Sequence, residues 1–363
     1  MFYRKSLLLS AMALLVSLFT HAFASDNVTR QPDLNEEEAL TLNNQAISYV
    51  ASHEYAKAIE LLKRAITIQP GVAPIHYNLA CIYQTQGHFR ASIEELKLAL
   101  AINPNYADAY RSLGVAYNKT QAFSDAIPPL IKSLSLKPQY AESLNELGYA
   151  YGMLDRYEEA LDFCRQAIRI NPNLAGGYNN LGFLYFKMGQ PAEAIDALQH
   201  AVRLEASSPE FHNNLGFLYA EVSRFNEAVD EYQKALHLKP DYFAAFNNLG
   251  TAYTSNAQND LAIEALEEAI RLRPDSAEAI YNLAYLKSRL GRQKQAVELY
   301  KHVIQLKPDL ADAYRNLAII YLERGERGLA LEQYQALKLV NYEKAKELFA
   351  VIYQDKILDV NRH

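Results

Sequence analysis

The chain has 363 residues, half of them apolar, with a formal charge of −6, two cysteines and no tryptophan. This composition excludes an intrinsically disordered chain, a collagen and a disulfide-stapled miniprotein. Length alone favours two or three domains of about 150 residues each, but a repeat array grows by stacking and does not follow that rule.

The first 24 residues have the features of a secretory signal peptide. A basic pair at residues 4–5 precedes an apolar run at 7–19, and Ala22 and Ala24 supply the small residues before a cleavage site. The run is shorter than the roughly 20 residues that a membrane span needs. We therefore predict an exported protein, periplasmic in a bacterium or else secreted, with an uncleaved anchor as the alternative.

The charge and the cysteines of the exported part restrict its partners and its chemistry. Removing residues 1–24 deletes two basic side chains and leaves a formal charge of −8. A protein this acidic is not suited to general nucleic-acid or anionic-lipid binding, so we predict neither partner and no stable membrane span after cleavage. Cys81 and Cys164 lie in different phases of the repeat described next, and both are predicted to be small buried groups without a disulfide.

The prolines divide the rest of the chain into repeats. Seven of the 13 prolines are spaced by 34 residues or a multiple of it, from Pro70 to Pro308, with one vacancy at Ala206. Placing proline at position 32 gives nine frames that follow a linker at 25–38. The frames are 39–72, 73–106, 107–140, 141–174, 175–208, 209–242, 243–276, 277–310 and 311–344.

Several columns of these frames have a constant character. Position 20 is Ala or Ser, position 8 is Gly or Ala, position 7 is Leu in eight frames, and position 11 is Tyr in eight. Positions 4, 7, 8 and 11 share one face of a helix, and small residues there let two helices approach closely. The pattern therefore predicts pairs of closely packed helices.

These columns resemble the tetratricopeptide repeat, or TPR, across residues 39–344. The resemblance implies an all-α, right-handed superhelical solenoid of about nine helix-turn-helix units. It also implies a turn near positions 15–18, where four frames have a glycine (Gly87, Gly189, Gly291 and Gly325). Residues 343–363 continue a helical pattern and are predicted to form a capping helix and tail.

Two departures from the pattern predict altered geometry. Pro128 and Pro129 fall inside the second helix of the third repeat, where they should kink it or delay its start. The fifth repeat lacks the terminal proline, and Ser208 and Pro209 then serve as the N-cap and first-turn proline of the following helix.

The TPR resemblance places positions 2, 5, 6, 9, 12 and 13 on the concave side, where position 6 is Asn in seven of nine frames. An amide offers both a donor and an acceptor, as pairing with a peptide backbone requires. This column resembles the asparagine ladder in the repeats of the O-linked N-acetylglucosamine transferases. The resemblance covers the repeats only and does not extend to the catalytic domain of those enzymes. The alternatives are that it bonds the neighbouring repeat or is inherited from an ancestral repeat. The predicted peptide-binding residues are Asn44, Asn78, Asn180, Asn214, Asn248, Asn282 and Asn316 at position 6, with Asn179, Asn213 and Asn247 at position 5.

Other modes of action have less support in the sequence. Position 2 contains no basic residue, which argues against a clamp for a partner's C-terminal carboxylate. The histidines are scattered over repeat phases, and no catalytic or phosphate-binding motif occurs, so we predict no enzyme activity, no metal and no cofactor. The predicted function is a protein-protein interaction scaffold. A structural subunit that assembles an envelope or secretion complex through its convex or end surfaces is the alternative, and the sequence does not indicate an oligomeric state.

Overall fold

The computed structural model describes residues 34–360, with side chains as far as Tyr353. This range forms 19 α-helices and contains no β-strand, which confirms the predicted all-α class. The predicted signal peptide at residues 1–24 lies outside the described residues. The helices are α1 (Leu34–Ala51), α2 (Tyr55–Ile68), α3 (Ala73–Thr85), α4 (Phe89–Ile102), α5 (Ala107–Lys119), α6 (Phe123–Leu136), α7 (Ala141–Met153), α8 (Tyr157–Ile170), α9 (Ala175–Lys187), α10 (Pro191–Leu204), α11 (Pro209–Glu221), α12 (Phe225–Leu238), α13 (Phe243–Ser255), α14 (Asn259–Leu272), α15 (Ala277–Arg289), α16 (Gln293–Leu306), α17 (Ala311–Glu323), α18 (Arg327–Val340) and α19 (Tyr342–Val360).

The helices follow the predicted frames, with each odd-numbered helix up to α17 as the first of a pair and the next helix as the second. Two boundaries differ from the prediction. The segment 25–38 is not all linker, because α1 begins at Leu34 and has Glu36 and Glu37 in its first turn, where acidic side chains favour a helix start. The last helix begins at Tyr342, which occupies the proline position of the ninth frame and so allows an earlier start.

The turn inside every repeat has one geometry, centred on position 15. Its residue has a positive φ in all nine repeats: 70–76° at the four glycines and 58–62° at the other five. The next backbone N–H donates to the carbonyl at position 11, as from His88 to Tyr83 at 2.8 Å, which is the Schellman ending of a helix. The predicted turn is therefore confirmed. It forms without glycine at His53, Gln121, Asp155, Ser223 and Ala257.

The two helices of a repeat approach most closely between positions 8 and 24. A Cβ placed on Gly216 would lie 2.8 Å from Cε1 of Tyr232 and 3.2 Å from the carbonyl oxygen of Ala228. Similarly, a Cβ on Gly148 would lie 2.5 Å from Sγ of Cys164. The small residues at positions 8 and 20 thus make room for the side chain at position 24, as the pattern predicted.

Both cysteines are free. Burial raises the pKa of the Cys164 thiol to about 12 and that of Cys81 to about 11. Thiols with pKa values in this range remain protonated near neutral pH and are poor nucleophiles. The prediction of no disulfide between them agrees with these observations. Cys164 is buried as predicted, whereas the Cys81 residue is only half-buried.

The proline departures had different outcomes. The second helix of the third repeat is α6, which begins at the same frame position as the other second helices and continues through Pro128 and Pro129. The predicted delay is therefore wrong: the helix takes both prolines in its interior, and Pro129 is buried. The predicted cap is confirmed, because Ser208 Oγ accepts a hydrogen bond from the Phe211 N–H at 3.3 Å.

The described chain divides into two compact units on either side of Ser207 and Ser208, residues 34–207 and 208–360. Within each unit the first helices of successive repeats contact one another, whereas the described second helices of successive repeats do not pack comparably. The first helices therefore form the inner layer of each unit. We call the surface made by positions 2, 5, 6 and 9 of these helices the first-helix face of that unit.

The last helix closes the second unit. Ala345, Leu348 and Ile352 are 3% exposed or less and pack against the ninth repeat. The predicted capping role of this segment agrees with that packing.

Candidate functional site

The predicted asparagines lie on the first-helix faces at different depths. Asn44 is exposed and Asn78 is buried. The other five at position 6 are half-buried, while Asn213 and Asn247 at position 5 are buried and Asn179 is half-buried. The column therefore borders the solvent along most of its length, with the position-5 amides beneath it.

Hydrogen bonds join these amides from one repeat to the next. The Nδ2 group of Asn180 donates to Oδ1 of Asn145 at 2.9 Å, so position 6 of one repeat binds position 5 of the repeat before it. We call this arrangement the amide ladder. The same bond joins Asn78 to Asn43 at 2.8 Å, Asn248 to Asn213 at 3.1 Å, and Asn282 to Asn247 at 3.0 Å.

The ladder is tied to the acidic side chains at position 2 in the second unit. Asn247 accepts from Asn282 and donates to Oε1 of Glu278 at 2.8 Å, so this buried amide holds two groups of the following repeat. Asp312 accepts from Nζ of Lys344 in the capping helix at 2.6 Å. One carboxylate of this column thus connects successive repeats and another binds the capping helix.

The ladder leaves one side of each half-buried amide available. Asn180, Asn248 and Asn282 use Nδ2 to reach the preceding repeat, and their Oδ1 atoms accept no hydrogen bond within residues 34–353. An amide oxygen has two lone pairs and readily accepts from a backbone N–H. The first-helix faces of both units therefore offer amide oxygens as hydrogen-bond acceptors.

Aromatic side chains lie beside these acceptors at position 9. Tyr285 is 45% exposed and Phe217 is 38% exposed, while Phe183 and Tyr149 are half-buried. Aromatic groups on a surface provide apolar contact area at a low cost in conformational entropy. They lie on the same first-helix face as the amides and are suited to packing against a partner's side chains.

The ladder is interrupted in the third and fourth repeats. Position 5 is Arg111 and position 6 of the next repeat is Glu146, whose carboxylate accepts from Asn118 Nδ2 at 2.9 Å. Nε of Arg111 donates to the Tyr140 hydroxyl at 2.8 Å, and that hydroxyl donates to Asp108. The sequence showed the exchange of Asn for Arg but not this network.

Two buried histidines form pairs that sequence reasoning missed. His76 and His212 both occupy position 4 of their repeats, and both are buried. Nδ1 of His76 lies 2.7 Å from Oε2 of Glu95, and Nδ1 of His212 lies 2.5 Å from Oε2 of Glu231. Each carboxylate is at position 23 of the same repeat, so the shared spacing of 19 residues was an available signal.

His76 is expected to make stability depend on pH. Its other ring nitrogen lies 3.1 Å from the Pro70 carbonyl, so both partners are acceptors and the ring must donate twice. The hydrogen bond to Glu95 raises the pKa of His76 despite its burial. This stabilisation is complete below the unfolded pKa of about 6.5 and is lost as the pH rises through the higher folded value. Urea unfolding from pH 5.5 to 9 should show that loss in the wild type but not in His76→Gln.

His302→Gln provides the control for this experiment, because His302 is exposed. It should retain the wild-type dependence of unfolding free energy on pH. An unchanged pH dependence in His76→Gln would contradict the assigned role of the pair.

The described residues contain no group of three or more His, Cys, Asp or Glu side chains placed to hold a metal ion. None of the described helices has the length and apolar character required to cross a bilayer.

Models of the tetratricopeptide-repeat family match most of the repeated region. Those described as "Tetratricopeptide repeat" match residues 49–114, 141–174 and 163–196. The one described as "TPR repeat" matches 185–223, 223–256, 250–291 and 288–325. No curated protein matches the chain.

Solved structures share the fold. The chain is similar to a chain in the crystal structure of the APC/C hetero-tetramer Cut9–Hcn1. The TM-score is 0.61 and the identity 14%, and the match covers 94% of this chain and 81% of that one. This chain is also similar to TTC0263, a TPR protein of Thermus thermophilus, with 25% identity, coverage of 50% and 98%, and a TM-score of 0.47. YrrB, described as a TPR protein with an unusual peptide-binding site, has 25% identity, coverage of 51% and 95%, and a TM-score of 0.39.

Proposed function

Because the chain belongs to the tetratricopeptide-repeat family, we propose that it is a non-enzymatic protein-interaction scaffold that binds an extended segment of a partner protein. The segment lies along the first-helix face of either unit. The observation that carries this proposal is the set of amide oxygens that no group of the described chain uses, on Asn180 in the first unit and on Asn248 and Asn282 in the second.

The spacing of the repeats suits such a segment. Neighbouring helices pack about 10 Å apart, and an extended peptide rises about 3.3 Å per residue. Asparagines of successive repeats would therefore meet backbone groups of the peptide that are about three residues apart. Recognition of this kind depends on the partner's main chain, and the exposed aromatic side chains at position 9 add contact with its side chains.

The proposal is tested with synthetic peptides. Random 12-residue peptides are screened against the wild-type protein, and dissociation constants of those that bind are measured by fluorescence anisotropy. The triple variant Asn180→Ala, Asn248→Ala, Asn282→Ala should bind them at least tenfold more weakly, since each lost hydrogen bond is worth about 1 kcal/mol. Methylating the peptide N–H groups that face these amides should weaken binding by wild type in the same way.

Asn173→Ala is the matched control, since Asn173 is exposed and lies at position 33, outside the first-helix face. It should leave peptide affinity unchanged, and far-UV circular dichroism should show the triple variant to be as helical as wild type. Equal affinity of the triple variant and wild type would refute peptide binding along the first-helix face.

A structural subunit is the second candidate, favoured by apolar residues at the end of the array. Leu339 is 90% exposed, Tyr342 61%, Val351 47% and Phe349 44%. An end surface of this kind suits assembly with another protein. Under this function, Tyr342→Ser and Phe349→Ser would disrupt the assembly and the triple asparagine variant would not.

A further inference from the structure

We propose that Arg111 binds a side-chain carboxylate of the partner segment, so that the segment has an Asp or Glu where it crosses the third repeat. This inference rests on the proposed function and specifies the chemistry of the partner at one point of the same face. It is carried by the hydrogen bonding of one guanidinium group and by the charges around it.

Arg111 has more donors than its surroundings use. A guanidinium has five N–H donors in a planar fork and is always charged. Here Nε donates to the Tyr140 hydroxyl at 2.8 Å, and the terminal nitrogens make no hydrogen bond within residues 34–353. The side chain is half-buried, where an unpaired charge is costly.

The neighbouring carboxylates are already engaged elsewhere. Asp108 accepts from the Tyr140 hydroxyl, and Glu146 accepts from Asn118. Neither forms an ion pair with Arg111 in the described part of the chain. Arg111 therefore has no direct ion pair with its own repeat or the next one, and it reaches Asp108 only through the Tyr140 hydroxyl.

A second cation increases the positive charge at this point. Nζ of Lys137 lies 3.8 Å from the centre of the Tyr140 ring, and the Arg111 guanidinium lies 5.5 Å from that centre. The two cations thus flank one aromatic ring. An incoming carboxylate would pair with the forked terminal donors of Arg111, which match its two oxygens.

This part of the face also differs from the ladder in what it can recognise. At position 5 of other repeats, Asn145, Asn213 and Asn247 accept a hydrogen bond from the following repeat. Arginine has no acceptor, so at Arg111 the ladder cannot continue and the face presents donors instead. Neutral acceptors along the rest of the face suit any peptide main chain, whereas these donors select an acidic side chain.

The test is an array of synthetic 12-residue peptides with amidated C termini, so that any carboxylate belongs to a side chain. Peptides that bind wild type should share an Asp or Glu at a fixed place. Changing it to Asn or Gln should weaken binding about tenfold, as a charge-assisted hydrogen bond to a half-buried group implies. Arg111→Gln should weaken binding of the acidic peptide equally, and the two changes together should cost no more than either alone.

Two further variants make the result specific. Arg90→Gln removes an exposed charge from the same unit and should leave affinity unchanged. Arg111→Lys keeps the charge without the fork and should recover part of the affinity, and circular dichroism checks that both Arg111 variants are folded.

The outcomes separate the two proposals. Peptides that depend on the asparagines but show no acidic preference would overturn the assignment of Arg111 and leave the proposed binding along the first-helix face standing. Additive effects of the peptide change and Arg111→Gln would overturn the assignment as well. An array without any bound peptide would overturn both.

Discussion

Replacing Tyr232 by Ala is expected to lower the free energy of unfolding by about 3–5 kcal/mol, as for other large buried aromatic residues. Tyr232 is 1% exposed, and its ring lies directly against the backbone of Gly216 in the first helix of its repeat. Truncation would open a cavity between α11 and α12, where the close approach of the helices leaves no other group to fill it. Urea denaturation followed by circular dichroism measures the loss.

Tyr232→Leu is the matched control. Leu is the natural residue at position 24 in five other repeats, including Leu198 and Leu266, where it faces Gly182 and Gly250. Leu should therefore fit the same space and cost less than half as much as Ala. Equal losses for the two variants would show that the ring itself, and not the filled volume, stabilises the pair.

Asn247→Ala is expected to lower the free energy of unfolding by about 1–3 kcal/mol, because it leaves buried partners without hydrogen bonds. Asn247 is 3% exposed and binds both Asn282 and Glu278 of the following repeat. Since the loss falls on an interface between repeats, the unfolding transition should also become less cooperative. Chemical denaturation provides both the midpoint and the slope.

Asn44→Ala is the control for stability, because Asn44 occupies position 6 but is exposed. Its cost should stay within about 0.5 kcal/mol, as is usual for a surface substitution. If Asn247→Ala costs as little as Asn44→Ala, the amide ladder does not stabilise the stack.

The sequence predicted the repeat and its two helices because the packing demands recur every 34 residues. Small residues at positions 8 and 20 and the turn at position 15 are local requirements that each repeat meets by itself. The left-handed turns at Gln121 and Ala257 were harder to predict from the sequence, because neither residue is a glycine. A Schellman ending tolerates a non-glycine residue at a cost in free energy that the rest of the repeat offsets. The early start of α1 was also not predictable from the repeat, because the acidic side chains of its first turn, Glu36 and Glu37, lie before the first frame.

The sequence predicted which residues form the candidate site, but not the hydrogen bonds that they make. The column of Asn residues was visible, yet which atoms they use depends on contacts between repeats. Asn180 and Asn145 are 35 residues apart, one more than the period, so the bond joins two different columns. A search for amides at this offset would have found the ladder. The Arg111 network joins positions 2, 5 and 34. The ninth repeat repeats its Asp and Arg at positions 2 and 5, but has Lys344 in place of the linking tyrosine, so comparison of repeats does not reveal the network.

The amide ladder also bears on how such an array can change by duplication or exchange of repeats. A repeat with Asn at both positions 5 and 6, such as 243–276, presents an acceptor to the following repeat and a donor to the preceding one. Two repeats of this kind are interchangeable parts that can be copied or swapped without breaking a bond. The repeats at 107–140 and 141–174 have Arg111 and Glu146 in the corresponding places and cannot be moved separately. The array therefore combines modules that tolerate a change in number with one segment whose order is constrained.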